Sequence, residues 1–316
     1  MSGTQTIKPD KILKELGELW TNMGKSDEAE DQSHGGGLLR ACAMTLISFA
    51  DDEEDCIALG EVIAGLMKEH PSRAIVVRVR EGEDYLSARV FAQCWMPFGH
   101  RRQICCEQVE ITCSMDRLAH VAAIVGPLAV PDLPRVILLR SARVVRSGAI
   151  RKILPLGDKI IVDSARAGAC GFGEIGGLLD AGHIAGDLAW TRITELRSLI
   201  AQVLSSRKPS TITIEYEGKE AGPEARYLDA WLEVSLPDTR VGLKGSGQPG
   251  SGKPTIIRID GDLTIQLAPG GAEVRIGSLE QWASLPSGTD EQLLNSELSI
   301  VVHDRVFERV LNHITA

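Results

Sequence analysis

Residues 135–162 read RVILLRSARVVRSGAIRKILPLGDKIIV. Arg135–Leu139 and Lys159–Val162 are short, apolar and rich in β-branched residues, which predicts two buried strands. The stretch between them is helical, with Arg140, Arg143, Arg146, Arg151 and Lys152 read as a solvated face. Strand, helix, strand predicts a β-α-β crossover joining parallel strands.

The same grammar extends in both directions. Toward the N-terminus, Pro127, Pro131 and Pro134 make an extended lead-in. Asp116 is placed to cap a helix ending near Val125. Ser87–Trp95 and Gln103–Cys113 are two strands around a turn at Pro97–His100. Ala74–Arg80 (AIVVRVR) alternates as a strand. Cys56–Glu69 is a helix that Pro71 stops, because the residue before proline avoids the α region. Leu38–Ala50 predicts a buried strand. Gly24–Gly37 is polar and Gly-rich, a linker behind an amphipathic helix with Ile12, Leu13, Leu16, Leu19 and Trp20 on one face.

Toward the C-terminus, Gly168–Gly177 holds five glycines in ten residues, and a domain boundary is expected there. Leu188–Leu204 predicts one long helix, Thr211–Tyr216 a strand and Glu224–Leu236 a helix. Thr255–Ile259, Leu263–Leu267 and Glu273–Ile276 predict an antiparallel meander, and Asp304–His313 an amphipathic helix. The expectation is an α/β chain (mixed α/β, with α+β as the variant). It has a helix and linker over 1–37 and two domains, 38–167 and 168–316, each a mixed sheet flanked by helices.

The net charge of −9 and the lack of a dense basic run argue against nucleic acid, whose binding requires clustered Lys and Arg. No apolar run approaches the ~20 residues that span a bilayer, and Met1–Asp10 is polar, so a cytoplasmic protein without membrane attachment is expected. Seven cysteines, an odd number, suit a reducing compartment better than a disulfide framework.

Two nucleotide motifs are present in form. Gly247–Lys253 (GQPGSGK) matches G-x-x-x-x-G-K, but Pro254 stands where a magnesium-binding hydroxyl belongs, and a strand follows where a helix should open. Gly171–Gly176 matches G-x-G-x-x-G, but the preceding strand ends near Val162, too early for a dinucleotide fold. No cofactor is expected. Cys94, His100, Cys105 and Cys106 cluster around one hairpin without a C-x-x-C knuckle, so no metal is expected. Cys94 lies across from Cys105, within reach of a disulfide, while buried free thiols are the simpler reading. There is no G-x-S-x-G elbow and no H-E-x-x-H pair, and nothing argues for a catalytic centre.

Two segments carry more. In His70-Pro71-Ser72-Arg73, Ser72 and Arg73 are placed to hold a carboxylate or phosphate, or to be a helix stop with a solvated arginine. In Gly186–Arg192 (GDLAWTR), Asp187 is a natural N-cap. Trp190 and Arg192 read equally as an interface hot spot or as a core tryptophan with an arginine paired to Asp187 or Glu195.

These segments, with Cys105-Cys106-Glu107-Gln108-Val109, Pro127-Leu128, Pro131-Asp132-Leu133-Pro134 and Ile161-Val162-Asp163-Ser164, stand in the order of a known pattern. The chain resembles the OpcA family of glucose-6-phosphate dehydrogenase assembly proteins over roughly residues 38–316, more weakly after 240. The resemblance implies a non-catalytic protein whose partner is glucose-6-phosphate dehydrogenase, acting on its oligomeric assembly or its response to substrate. It singles out His70, Ser72, Arg73, Asp187, Trp190 and Arg192 as partner-binding candidates. The family's tie to redox control in photosynthetic bacteria makes Cys94, Cys105, Cys106 and Cys113 redox candidates. The chain departs from the pattern at Arg135–Arg140, where aromatics are usual, and at Glu195 and Leu196, where Pro and Trp are frequent. The competing class is a sugar-phosphate-binding enzyme or sensor.

Overall fold

The computed structural model describes residues 7–30, 38–51, 53–82, 84–96, 103–167 and 171–316. The predicted turn at 97–100, His100 with it, and residues 31–37 of the predicted linker lie outside them. Contacts divide the chain into two units, Met1–Ile161 and Val162–Ala316.

The first unit comprises α1 (Pro9–Glu30), β1 (Leu38–Arg40), β2 (Met44–Ala50), α2 (Glu53–Leu66), β3 (Ser72–Arg80), β4 (Leu86–Trp95), β5 (Gln103–Ser114), α3 (Leu118–Leu128), β6 (Arg135–Leu139), α4 (Ala142–Arg146), α5 (Ile150–Ile153) and β7 (Lys159–Val162), the last running across the division. Its strands follow the order β1-β5-β3-β2-β6-β7, with β4 along β5. The pairs β2–β3, β2–β6, β3–β5 and β1–β5 are parallel; α2 returns the chain between β2 and β3, α3 between β5 and β6, and β4, antiparallel to β5, between β3 and β5. Every residue of β2 is buried, which is why its sequence shows a continuous apolar run instead of alternation. Each large apolar side chain so buried contributes on the order of 1.5–3 kcal/mol.

Several local expectations change. The helix α1 continues to Glu30, through the first residues assigned to a linker. The predicted strand over Leu38–Ala50 is two strands separated by Ala41–Ala43. Asp116 sits inside a 3-10 turn, Met115–Arg117, and α3 starts behind Arg117 without a side-chain cap. The basic stretch is not uniformly solvated. Arg140 is 4% exposed, and Arg143 donates to Asp51 Oδ1 at 3.1 Å and to the Val79 carbonyl at 3.0 Å.

The cross-strand pair Cys94 and Cys105 is joined in a disulfide, with Cα atoms 4.1 Å apart. Antiparallel pairing brings directly opposed residues to about this separation, so the register alone delivers the geometry. Cys42, Cys56, Cys106 and Cys113 are free thiols.

The second unit comprises α6 (Ser164–Ala167), α7 (Phe172–Asp180), β8 (Ile184–Asp187), α8 (Leu188–Arg192), α9 (Thr194–Leu204), β9 (Thr211–Tyr216), α10 (Pro223–Ser235), β10 (Arg240–Gly245), β11 (Pro254–Ile259), β12 (Leu263–Ala268), β13 (Gly271–Ile276), β14 (Leu279–Ser284), α11 (Asp290–Ser299) and α12 (Arg305–Thr315). A six-stranded sheet runs β10-β9-β11-β12-β13-β14. The pair β9–β10 is parallel, with α10 as its crossover, and the rest is an antiparallel meander. Ile212, Ile214, Ile257, Ile259, Leu263 and Ile265 bury one face of it. The helix expected over 188–204 breaks at Ile193 into α8 and α9. Both units mix helices with a sheet, so the chain is of the mixed α/β class.

Candidate functional site

The GDLAWTR segment sits where β8 turns into α8. Asp187 is fully buried and caps α8, accepting the Ala189 amide at 2.9 Å. It also accepts the Ser164 amide at 3.1 Å and the Tyr227 hydroxyl at 2.9 Å. Burial pushes its carboxyl up to about 6, against the hydrogen bonds that favour the anion. A Cβ at Gly186 would overlap the Glu297 carboxylate, so a side chain here has to displace that carboxylate. Thr191 donates to that same carboxylate at 2.6 Å. Leu188 and Ala189 are core.

Trp190 is 3% exposed and packs edge-on against Tyr227, with Phe307 tilted beside it. Its indole N–H donates to Asp304 at 3.3 Å, and Asp304 in turn caps α12 by accepting the Val306 and Phe307 amides. Arg192 pairs with neither Asp187 nor Glu195. Both of its terminal nitrogens donate to Asp163, at 2.7 and 3.0 Å, and the Asp163 side chain has no exposed surface. Burial alone would lower the Arg192 guanidinium, but the Asp163 hydrogen bonds raise it. The segments IVDS and GDLAWTR are therefore clasped by two carboxylates, Asp163 toward Arg192 and Asp187 toward the Ser164 amide.

In the first unit, Arg73 is 7% exposed and Ser72 2%. Arg73 donates through Nε to Glu107 at 2.6 Å and through Nη1 to the Leu128 carbonyl at 2.6 Å. That carbonyl ends α3, where a cation meets the negative end of the helix. Buried Glu107 also accepts the Trp20 indole at 2.6 Å and pairs with Arg40 at 2.6 Å. One carboxylate thereby ties α1, β1 and β3 to β5. His70 is half-buried, and its amide closes α2 on the Leu66 carbonyl at 2.7 Å.

Of the six partner candidates, Ser72, Arg73, Asp187 and Trp190 are interior, while His70 and Arg192 are partly exposed. Each segment is engaged within its own unit. Asp163, Glu107, Glu297 and Asp304 were not identified from sequence as partners of these residues. Asp163 and Glu107 stood inside quoted motifs, and Asp304 stood immediately before a predicted helix, which is the position of an N-cap.

The redox candidates divide. Cys94 and Cys105 form the disulfide. Burial pushes the Cys106 thiol up to about 11 and the Cys113 thiol to about 12, which disfavours the reactive thiolate. No metal-binding cluster occurs among the described residues.

The P-loop look-alike is an ordered turn. The Gly252 amide donates to the Glu217 carbonyl at 2.5 Å and the Gly247 amide to the Gly218 carbonyl at 3.2 Å. Ser251 donates to the Glu217 carboxylate at 2.7 Å. Amides already bonded, beside a carboxylate, do not cradle phosphate. The G-x-G-x-x-G segment forms the start of α7, with Glu174 closing back on the Gly171 amide at 2.7 Å.

Two clefts flank the clasp in the second unit. One, of about 550 Å³, is floored by Trp190 and walled by Arg192, Arg197, Gln292 and Asp304. A second, of about 380 Å³, shares Arg192 and Glu195 and reaches Lys253 and Glu224. In the first unit a cleft of about 590 Å³ follows Gly126–Arg135 and Asp158. Its wall includes Asp132, held in the left-handed region at φ 63°.

A family model described as the glucose-6-phosphate dehydrogenase subunit N-terminal domain matches residues 64–173, and one described as the C-terminal domain matches residues 184–311. No curated protein matches the chain. Among solved structures it is similar to the 3-ketoreductase KijD10 from Actinomadura kijaniata (10% identity, TM-score 0.49, covering 86% of this chain and 95% of that one). It is also similar to biliverdin reductase from Synechocystis sp. PCC 6803 (8% identity, TM-score 0.49, covering 85% and 96%). A third is UDP-N-acetylglucosamine 3-dehydrogenase GnnA from Acidithiobacillus ferrooxidans (10% identity, TM-score 0.43, covering 86% and 95%). At these values the structural likeness carries no argument about activity.

Proposed function

The chain belongs to the OpcA family of glucose-6-phosphate dehydrogenase assembly proteins, and from that premise we propose that it is a non-catalytic accessory protein that binds glucose-6-phosphate dehydrogenase and promotes its assembly or allosteric activation. The observation that carries this reading is the pair of family models, which together span residues 64–173 and 184–311. Such a protein acts by binding the active state of the dehydrogenase more tightly than its alternatives, since only differential affinity shifts an equilibrium. No helix among the described residues is long and apolar enough to cross a membrane, and action beside a dehydrogenase in the cytoplasm is part of the proposal.

The partner-binding candidates divide by role. Ser72, Arg73, Asp187 and Trp190 are positioning residues, because their polar atoms face their own unit. His70 and Arg192, partly exposed, are the two able to touch a partner. The competing sugar-phosphate reading draws on the polar ends of His70–Arg73 and Asp187–Arg192, and it is weakened because Arg73 is held by Glu107 and the Leu128 carbonyl and Arg192 by Asp163.

The test is NADPH formation by the cognate dehydrogenase with this protein titrated in. A saturable rise in rate, or a fall in apparent substrate constant, is expected. No change, with no co-elution of the two proteins, rejects the proposal. A second, redox-dependent reading is favoured by the Cys94–Cys105 disulfide on the edge of the first sheet. Under it, activation differs between dithiothreitol-treated and untreated protein; identical titrations reject it.

A further inference from the structure

The 550 Å³ cleft beside α8, α9 and α11 contains a guanidinium that, among the described residues, no carboxylate touches. Arg197 lies flat on Trp190, its Cζ 3.5 Å from the ring centroid. Among the described residues its side chain makes one hydrogen bond, from Nη2 to Thr194 Oγ1 at 3.0 Å, and its buried Nε has no partner. It forms no ion pair there. Its neighbour Arg192 is instead gripped at both terminal nitrogens by Asp163. Burial lowers Arg197 to about 10, with Asp304 opposing the shift from a distance. The indole thus covers one face of the guanidinium, while among the described residues no carboxylate meets its edge, the part that pairs with an oxyanion.

The walls narrow the choice of anion. Glu195, Glu297 and Asp304 also line the cleft. Glu297 holds Thr191, and Asp304 holds α12 and the Trp190 indole, so both carboxylates are engaged within the unit. A dianion such as phosphate meets more repulsion there than a monoanion. Pro286, Leu293 and Ile300 add apolar surface.

We propose that this cleft is a binding site for a carboxylate group carried on an apolar remainder, the carboxylate meeting Arg197 beside Thr194 and the remainder lying against Pro286 and Ile300. The site stands independently of the accessory reading, since it is tested without the dehydrogenase.

The experiment is calorimetric titration of the full chain with benzoate at fixed ionic strength. Saturable binding is expected. Benzamide, the neutral isostere, is expected to bind at least about ten-fold more weakly, as is benzoate to Arg197→Gln, each losing a charge-assisted contact. Inorganic phosphate is expected to bind more weakly than benzoate. Circular dichroism checks that Arg197→Gln is folded; should it not fold, the benzoate and benzamide titrations of the unaltered protein still decide. Absence of saturable benzoate binding, equal binding of benzamide, or unchanged affinity in a folded Arg197→Gln overturns the proposal. Two upheld outcomes separate the source. Benzoate that abolishes co-elution with the dehydrogenase assigns the carboxylate to that partner, and benzoate that binds while co-elution persists assigns it to a free small molecule. Failure of co-elution in all conditions rejects the accessory reading and leaves the benzoate result standing.

Discussion

Arg192→Met isolates the clasp between Asp163 and α8. The substitution keeps an unbranched stem of similar reach and removes the charge. It leaves the Asp163 carboxylate, with no exposed side-chain surface, without its two charge-assisted bonds of 2.7 and 3.0 Å. Breaking a buried pair by removing one partner costs about 3–5 kcal/mol. Arg192 retains 23% exposure and Asp163 keeps the Arg166 amide as a weak donor at 3.4 Å, so the lower end, about 3 kcal/mol, is expected. Asp163→Asn keeps oxygen and shape while removing the charge, and about 1–2 kcal/mol is expected. In the double variant no buried charge is left unpaired, so its loss is expected to fall short of the sum by more than about 1 kcal/mol. Urea unfolding followed by circular dichroism measures all three. Strictly additive losses, or an Arg192→Met midpoint indistinguishable from that of the unaltered protein, would show that the pair is not coupled and that the reasoning about this clasp is wrong.

Other outcomes follow from the same physics. The folded Asp187 carboxyl titrates near 6, against 3.8 for an unperturbed aspartate, so the folded state holds a proton that the unfolded chain releases. Its contribution to stability is full below 3.8 and is lost as pH rises through 6. The unaltered protein is therefore expected to lose urea resistance relative to Asp187→Asn across that window, and a difference independent of pH refutes this. Gly186→Ala is expected to cost about 1–3 kcal/mol through overlap with Glu297, and Glu297→Ala added to it should recover part of the loss; thermal melts that place the double variant below both single variants contradict the overlap. Reduction of Cys94–Cys105 is expected to lower stability by about 2–3 kcal/mol, with dithiothreitol having no such effect on a Cys94→Ser, Cys105→Ser protein. Glu107→Ala strands buried Arg73, and a loss of about 3 kcal/mol or more is expected from urea midpoints; a loss below about 1 kcal/mol would mean that Arg73 finds another partner.

Much of the fold is legible where local chemistry and burial agree. The strands Arg135–Leu139 and Lys159–Val162 have β-branched, apolar sequences and fold as read. The helix at Pro223–Ser235 begins with proline at its first position, and the final helix is announced by Asp304. The strands β10 and β14 escape a sequence reading for a physical reason. Arg240–Gly245 carries two glycines and alternates weakly, and Leu279–Ser284 is exposed along nearly its whole length, so neither bears a buried stripe. The break at Ile193 is likewise hidden, because the apolar spacing continues through it while Arg192 is held by Asp163. The site is legible as a set of unusual residues and illegible as a network. Asp163 and Arg192 are 29 residues apart, and no local pattern reports a pair that tertiary packing creates.

The clasp also bears on where this chain can be cut. A fragment beginning at residue 184, where the second family model starts, keeps Arg192 and Asp187 but discards Asp163 and the Ser164 amide that face them. A start at 168, the boundary that glycine content suggests, discards the same two groups. Either fragment would begin life with a half-buried guanidinium and a buried carboxylate facing the gap left by their partners. A start at or before Val162 retains both, and the few residues ahead of the second family domain are in this sense its first structural element and not a tether to it.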